Sequence, residues 1–197
     1  MKAKTKFLIA GVGLLLLGPI AAGAVSSTAN TTITAALAST ISVTSSSTLT
    51  LNVTPASGGS QTTDKDVVSV TTNNATGYAL TLSDTDSNNN LVNGGNTIAA
   101  TTGTYASPVI LPNNSWGYRV DSLGSFGAGP TTATTNQTSN ALLFAAVPVL
   151  ASPQQIKTTA TTASSDVTNV WYSVKVDGTK PNGNYSDQVV YTATTNP

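Results

Sequence analysis

Turn-forming residues interrupt this chain so often that a long helix has no room to form. Clusters of Gly, Pro, Asn and Asp recur at intervals of about eight to twelve residues. The stretches between them are rich in Val, Thr and Tyr, side chains that fit a pleated, half-buried sheet. Period-two alternation points the same way: Val68, Val70 and Thr72 share one face, while Tyr78, Leu80 and Leu82 share another, with Ala79, Thr81 and Ser83 pointing away. Residues 73–77 read as a hairpin connection in which Gly77 takes a positive φ without steric cost. Further on, Val170, Tyr172, Val174 and Val176 alternate with Trp171, Ser173, Lys175 and Asp177. The Asp177-Gly178 and Asn182-Gly183 pairs then turn the chain into residues 185–195, where Tyr185, Val189 and Tyr191 are predicted to face the same core. Only residues 141–150 hint at helix, and Pro148 and Pro153 argue for a buried strand instead. The predicted class is all-β and antiparallel.

The N-terminus predicts export. Lys2, Lys4 and Lys6 precede an apolar run over residues 7–20, and Ala22-Gly23-Ala24 supplies small residues at a cleavage spacing. Residues 1–24 therefore read as a signal peptide, with Val25 as the first mature residue, and the membrane is met only through that segment before cleavage. The expected location is secreted, extracellular or at the cell surface. Residues 25–50 are low in complexity and read either as an extended arm or as the first strands, since Ile33, Ala35 and Leu37, then Ile41 and Val43, alternate. Residues 51–197 form the predicted β domain, which is long enough to bury a sizeable core.

The chain has no histidine, no cysteine and no glutamate. Without the usual proton shuttle and the strongest side-chain nucleophile, most familiar catalytic routes are closed, so the expectation is a protein that is not an enzyme. Disulfide staples are also excluded, which leaves stability to sheet packing. After the signal peptide, Lys65, Arg119, Lys157, Lys175 and Lys180 face eight aspartates, a net charge of about −3. There is no basic stripe, so nucleic acid is not an expected partner. Charged residues are 8% of the chain where about 25% is usual; Thr, Ser and Asn take their place as a neutral, salt-indifferent surface.

Two sites stand out as candidates. Asp84, Asp86 and Asn88 place oxygen ligands at alternate positions, as a calcium loop does. The glycine and the glutamate that such loops carry at their sixth and twelfth positions are replaced by Asn89 and Gly95, so a solvated loop competes with the metal reading. No other cofactor is expected. Trp116 and Tyr118 flank a glycine-rich stretch, and Trp171 points away from the apolar face of its strand. Together these three rings suggest an aromatic platform for a glycan, against the alternative that both faces of their strands are buried.

The run from Thr72 to Leu82, the Trp116-Gly117-Tyr118-Arg119-Val120-Asp121 segment, and the ending from Val174 to Thr194 together resemble secreted β-sandwich surface proteins of Saccharibacteria and related ultrasmall bacteria. The closing Pro181-x-Gly183-x-Tyr185-x-x-x-Val189-x-Tyr191 pattern is similar to the last hairpin of WxL-type cell-wall domains and of spore-coat-U-like domains. The Trp-x-Leu repeats themselves are absent, since Trp116 leads to Gly117-Tyr118 and Trp171 to Tyr172-Ser173. What the resemblance implies is an immunoglobulin-like antiparallel β-sandwich exposed outside a bacterial cell. The expected function is a non-enzymatic structural or adhesion protein whose loops meet a host-surface or matrix protein or a glycan. The alternatives are a subunit that self-associates through its N-terminal arm and a carbohydrate-binding module.

Overall fold

The computed structural model describes residue 23, residues 25–130 and residues 132–197. The signal peptide expectation, Gly23 apart, lies outside those residues. Among them no helix is long and apolar enough to cross a membrane. The chain divides into two units, Met1–Ala36 and Leu37–Pro197. In the first, residues 25–36 are exposed and have no regular secondary structure. The second is wholly β. Its strands are β1 (Ile41–Thr44), β2 (Ser60–Thr72), β3 (Tyr78–Asp84), β4 (Leu91–Asn93), β5 (Asn96–Ala100), β6 (Val109–Ile110), β7 (Ser115–Val120), β8 (Thr134–Gln137), β9 (Leu143–Phe144), β10 (Gln154–Thr158), β11 (Ala163–Val176) and β12 (Val189–Thr195).

A seven-stranded sheet runs in the order β1-β2-β11-β7-β5-β4, with β8 also paired to β2; a three-stranded sheet runs β10-β3-β12, and β6 pairs with β9. The pairings are antiparallel except for β5 on β7. Of the predicted arm or first strands, only β1 pairs, along the edge of β2.

Both predicted hairpins are corrected by this topology. β2 and β3 do not pair with one another: residues 73–77 carry the chain from the large sheet to the small one. β11 and β12 are likewise divided between the two sheets. The glycine in the first crossing is required all the same. Gly77 has φ +81°, and a Cβ there would run into the Thr159 backbone carbonyl. Gly77→Val is expected to cost about 1–3 kcal/mol in backbone strain alone, with the Thr159 contact adding to it, read as a lowered urea midpoint at unchanged slope.

The alternation predicted for each strand does hold. Val68, Val70 and Thr72 of β2, Tyr78, Leu80 and Leu82 of β3, and Val170, Tyr172, Val174 and Val176 of β11 are all buried. Apart from Thr72, these side chains join Trp116, Tyr118 and Val120 of β7 and Ile156 of β10 in one hydrophobic cluster, with Tyr185, Val189, Tyr191 and Ala193 packed against it. Hence one face of the seven-stranded sheet and one face of the three-stranded sheet share a core. Two tyrosine hydroxyls inside it pair across the sheets, while that of Tyr118 is buried without a partner. The Tyr172 and Tyr191 hydroxyls lie 2.7 Å apart, and burial followed by the neighbouring Tyr172 and Asp66 groups pushes the Tyr191 phenol well above its ordinary value.

A second polar link joins β3, β10 and β11. Asp166 accepts from the Tyr78 hydroxyl at 2.8 Å and from Lys157 Nζ at 2.6 Å. Burial by itself would raise the Asp166 carboxyl, but hydrogen bonds from Lys157 and Tyr78 and the Lys157 charge outweigh it, and the carboxyl sits below its usual range. A carboxyl lowered in the folded state stabilises fully above its unfolded value, and that contribution is lost as pH falls through the folded value. Asp166→Asn is therefore expected to flatten the loss of stability below about pH 5. The difference should not exceed about 1 kcal/mol, because the Lys157 and Asp166 side chains retain 25% and 31% exposure. Parallel urea melts across pH 3–7 check it.

The other face of the large sheet is covered where β2, β7 and β11 meet. Every residue of β7 is buried, and in β11 both faces are buried from Val170 to Ser173. Gly117 makes this closeness possible in β7, since a Cβ there would crowd the Ala145 carbonyl. Residues 141–150 meet the expectation of burial at Phe144, Ala145 and Val147, but only β9 and a single bridge from Ala145 to Tyr118 are strand-like. The polar stretch Thr134–Gln137 adds β8 to the edge of β2.

Candidate functional site

The three aromatic residues proposed as a glycan platform are placed apart and inside. Trp116 and Tyr118 belong to the shared core, at 4% and 0% exposure, and Trp171 lies on the opposite face of the large sheet at 1%. Trp116 stacks on Tyr172 with centroids 6.4 Å apart, and Tyr118 meets Phe126 edge-on. Trp171 is paired in register with Arg119 and Lys65; its Nε1 donates to Asp121 Oδ2 at 2.8 Å. No ring face of the three is open to solvent, which corrects the platform. Both faces of these strands are covered, as the plainer reading held.

Trp116 instead supports the acidic loop at residues 84–90. Its Nε1 donates to the Asn89 carbonyl at 2.9 Å, and the Asn89 side chain donates to the Val147 carbonyl at 2.6 Å. Backbone bonds from Asp84 to Pro148, from Leu150 to Asp86 and from Thr85 to Gln188 fasten the same loop on two further sides. The Asn90 side chain accepts from Ala100 N at 2.9 Å. A run of Asp, Ser and Asn that reads as a solvated loop is thus held by four separate segments, at Trp116, residues 147–150, Gln188 and Ala100.

Within that frame the three predicted calcium ligands have unequal surroundings. Asp84, at the end of β3, is completely buried. Asp86 and Asn88 are exposed on the rim. Asp84 Oδ1 accepts from Asp86 N at 3.0 Å and Asp86 Oδ1 from Asn88 N at 2.5 Å. Asp84 Oδ2 is buried and has no hydrogen-bond partner.

A fourth residue joins them that no sequence spacing announces. Asp187, just before β12, accepts from Gln188 N through Oδ1, and its Oδ2 is also buried without a partner. Burial, then contact with the Asp84 carboxylate and the charges of Asp84 and Asp86, outweigh the Gln188 hydrogen bond and raise the Asp187 carboxyl to about 7. Among the described residues, no three carboxylates converge closely enough on one point to ligate a metal by themselves. The corner therefore offers two abutting carboxylates, one wholly interior, with a third carboxylate and an amide oxygen at its mouth.

A shallow groove of about 300 Å³ lies elsewhere, lined by Val120, Asp121, Ser122, Leu123, Lys157 and Thr168 among others. It is open and of mixed polarity, and none of the residues predicted as ligands lines it. Comparison with protein-family descriptions, curated proteins and solved structures finds no match to the chain.

Proposed function

We propose that the chain is a secreted, non-enzymatic structural or adhesion protein of the cell surface, in which an immunoglobulin-like β-sandwich displays loops to a host-surface or matrix protein or a glycan. The observation that supports this most is the shared core of the two main sheets together with the way long connections are fastened onto them. Arg119 alone donates to the backbone carbonyls of Phe126, Gly127 and Ala128, so the loop after β7 is presented in one shape. Rigid loops on a sheet scaffold are a common means of recognition. Purified protein should bind intact host cells or matrix proteins saturably and leave ester, peptide and glycan substrates unchanged; turnover of any of them would overturn the reading.

A second reading is favoured by the N-terminal arm. Ile33 and Leu37 are 91% and 85% exposed, and β10 and β12 each have one sheet partner among the described residues. An apolar, alternating arm and an open sheet edge are the two halves of strand addition between copies. On this reading the mature chain forms ordered polymers by light scattering and electron microscopy, and removing residues 25–39 abolishes them. A monomeric mature chain would leave adhesion standing alone.

A further inference from the structure

The geometry points to a calcium site in which Asp84 and Asp187 supply the inner carboxylate oxygens, while Asp86, Asn88 and solvent close the outer side. It does not depend on the adhesion reading.

Four observations lead there. First, Asp84 is fully buried with Oδ2 unpartnered, and the facing Asp187 Oδ2 is unpartnered too. Carboxylate oxygens out of water without a donor are costly to leave alone, so this corner calls for a positive charge. Second, none of the described residues supplies one. The two ion pairs among the described residues are Arg119 with Asp121 and Lys157 with Asp166; Lys65 sits over Trp171, and Lys180 donates to the Thr97 carbonyl. Third, the ligands on offer are all oxygen. A chain without histidine or cysteine cannot provide the nitrogen and sulfur donors that select zinc or copper, whereas calcium takes carboxylate, amide, carbonyl and water oxygens in a flexible shell of six to eight. Fourth, the corner is fastened from outside, by Trp116 through Asn89 and by Pro148 through Asp84 N. Asp84 and the loop above it are therefore held in place before any ion arrives. With two inner carboxylates and no bidentate glutamate, the affinity belongs with extracellular modules, on the order of 10⁻⁴ to 10⁻³ M.

The test uses the purified protein stripped with EDTA and titrated with calcium chloride, followed by calorimetry and thermal unfolding. At a calcium concentration about a hundredfold above Kd, the melting temperature should rise by about 5–10 °C, and magnesium, which demands a tight octahedral shell, should do much less. Asp187→Asn should abolish the calcium response while leaving the stripped protein folded and no less stable, because it removes one of two repelling carboxylates. Asp86→Asn, on the exposed rim, should weaken calcium about tenfold without altering the stripped melt. A calcium-independent melt with no binding heat would overturn the proposal and leave a carboxyl pair sharing one proton. Undiminished calcium binding by the Asp187→Asn variant would overturn it equally.

Discussion

Arg119→Met should destabilise the protein by about 3–5 kcal/mol, because several hydrogen bonds to one charged group, each worth about 1.5–3 kcal/mol, are lost together. The guanidinium is fully buried. Its Nε lies 3.1 Å from Asp121 Oδ1, and its Nη2 donates to the carbonyls of Phe126, Gly127 and Ala128 at 3.1, 3.0 and 2.9 Å. Nη1 reaches the Leu143 carbonyl at 3.4 Å. Burial lowers the pKa of the guanidinium and Asp121 opposes this, so the side chain stays charged, as arginine does in proteins. Methionine fills much of the space and donates nothing, so the buried Phe126 carbonyl, the part-buried Gly127 and Ala128 carbonyls and Asp121 Oδ1 all lose this donor. Arg119→Lys should recover little, because an ammonium cannot match the planar fork that addresses these groups together. For a domain of this size the loss corresponds to about 6–20 °C in melting temperature. The readout specific to this role is chymotrypsin cleavage at Leu123 or Phe126 under conditions where the parent protein is intact.

Trp171→Ala should cost a similar amount, about 3–5 kcal/mol, through the cavity left by a large buried ring. The indole also donates to Asp121 Oδ2 at 2.8 Å and lies under Lys65 Nζ at 5.4 Å from its centroid. Trp171→Phe keeps most of the volume and loses the donor, so about 1–2 kcal/mol is expected. Because Trp171 and Arg119 hold the two oxygens of one carboxylate, the Arg119→Met and Trp171→Ala effects should fall short of additivity when combined. Urea unfolding of the single and double variants measures this directly. A Trp171→Ala variant that keeps its stability and loses only glycan binding would restore the surface role that burial removes.

The face of each strand was legible in the sequence, while its neighbours were not. Period-two alternation places Val68 and Val70 on one face and Tyr78, Leu80 and Leu82 on another, and every one of them is buried. The same alternation is indifferent to whether the chain after Thr72 folds back beside β2 or crosses to another sheet. Gly77 permits either, and the crossing is held from afar, by Asn74 and Thr76 on the Asn196 carbonyl. Trp171 was placed correctly on the face opposite its valines, but its partner there, Asp121, lies 50 residues away in sequence. The β4–β5 hairpin was a missed signal, since Gly94-Gly95 between Asn93 and Asn96 is a known two-residue turn pattern. Asp187 carried no signal at all: the acidic loop looks complete by itself in sequence, and only the pairing of β12 with β3, Val189 opposite Asp84, brings Asp187 to it.

The pairing of β2 with β11 has a kinetic meaning. Gln61 and Ser173, hydrogen-bonded at the centre of the large sheet, are 112 residues apart, and β3 waits for β10 and β12 in the same way. Such distant partners impose a loop-closure cost before any contact rewards it. A nascent chain emerging from its N-terminus thus has no finished sheet to settle into until the final third arrives. The two main sheets therefore close late, once β10, β11 and β12 are all available to pair.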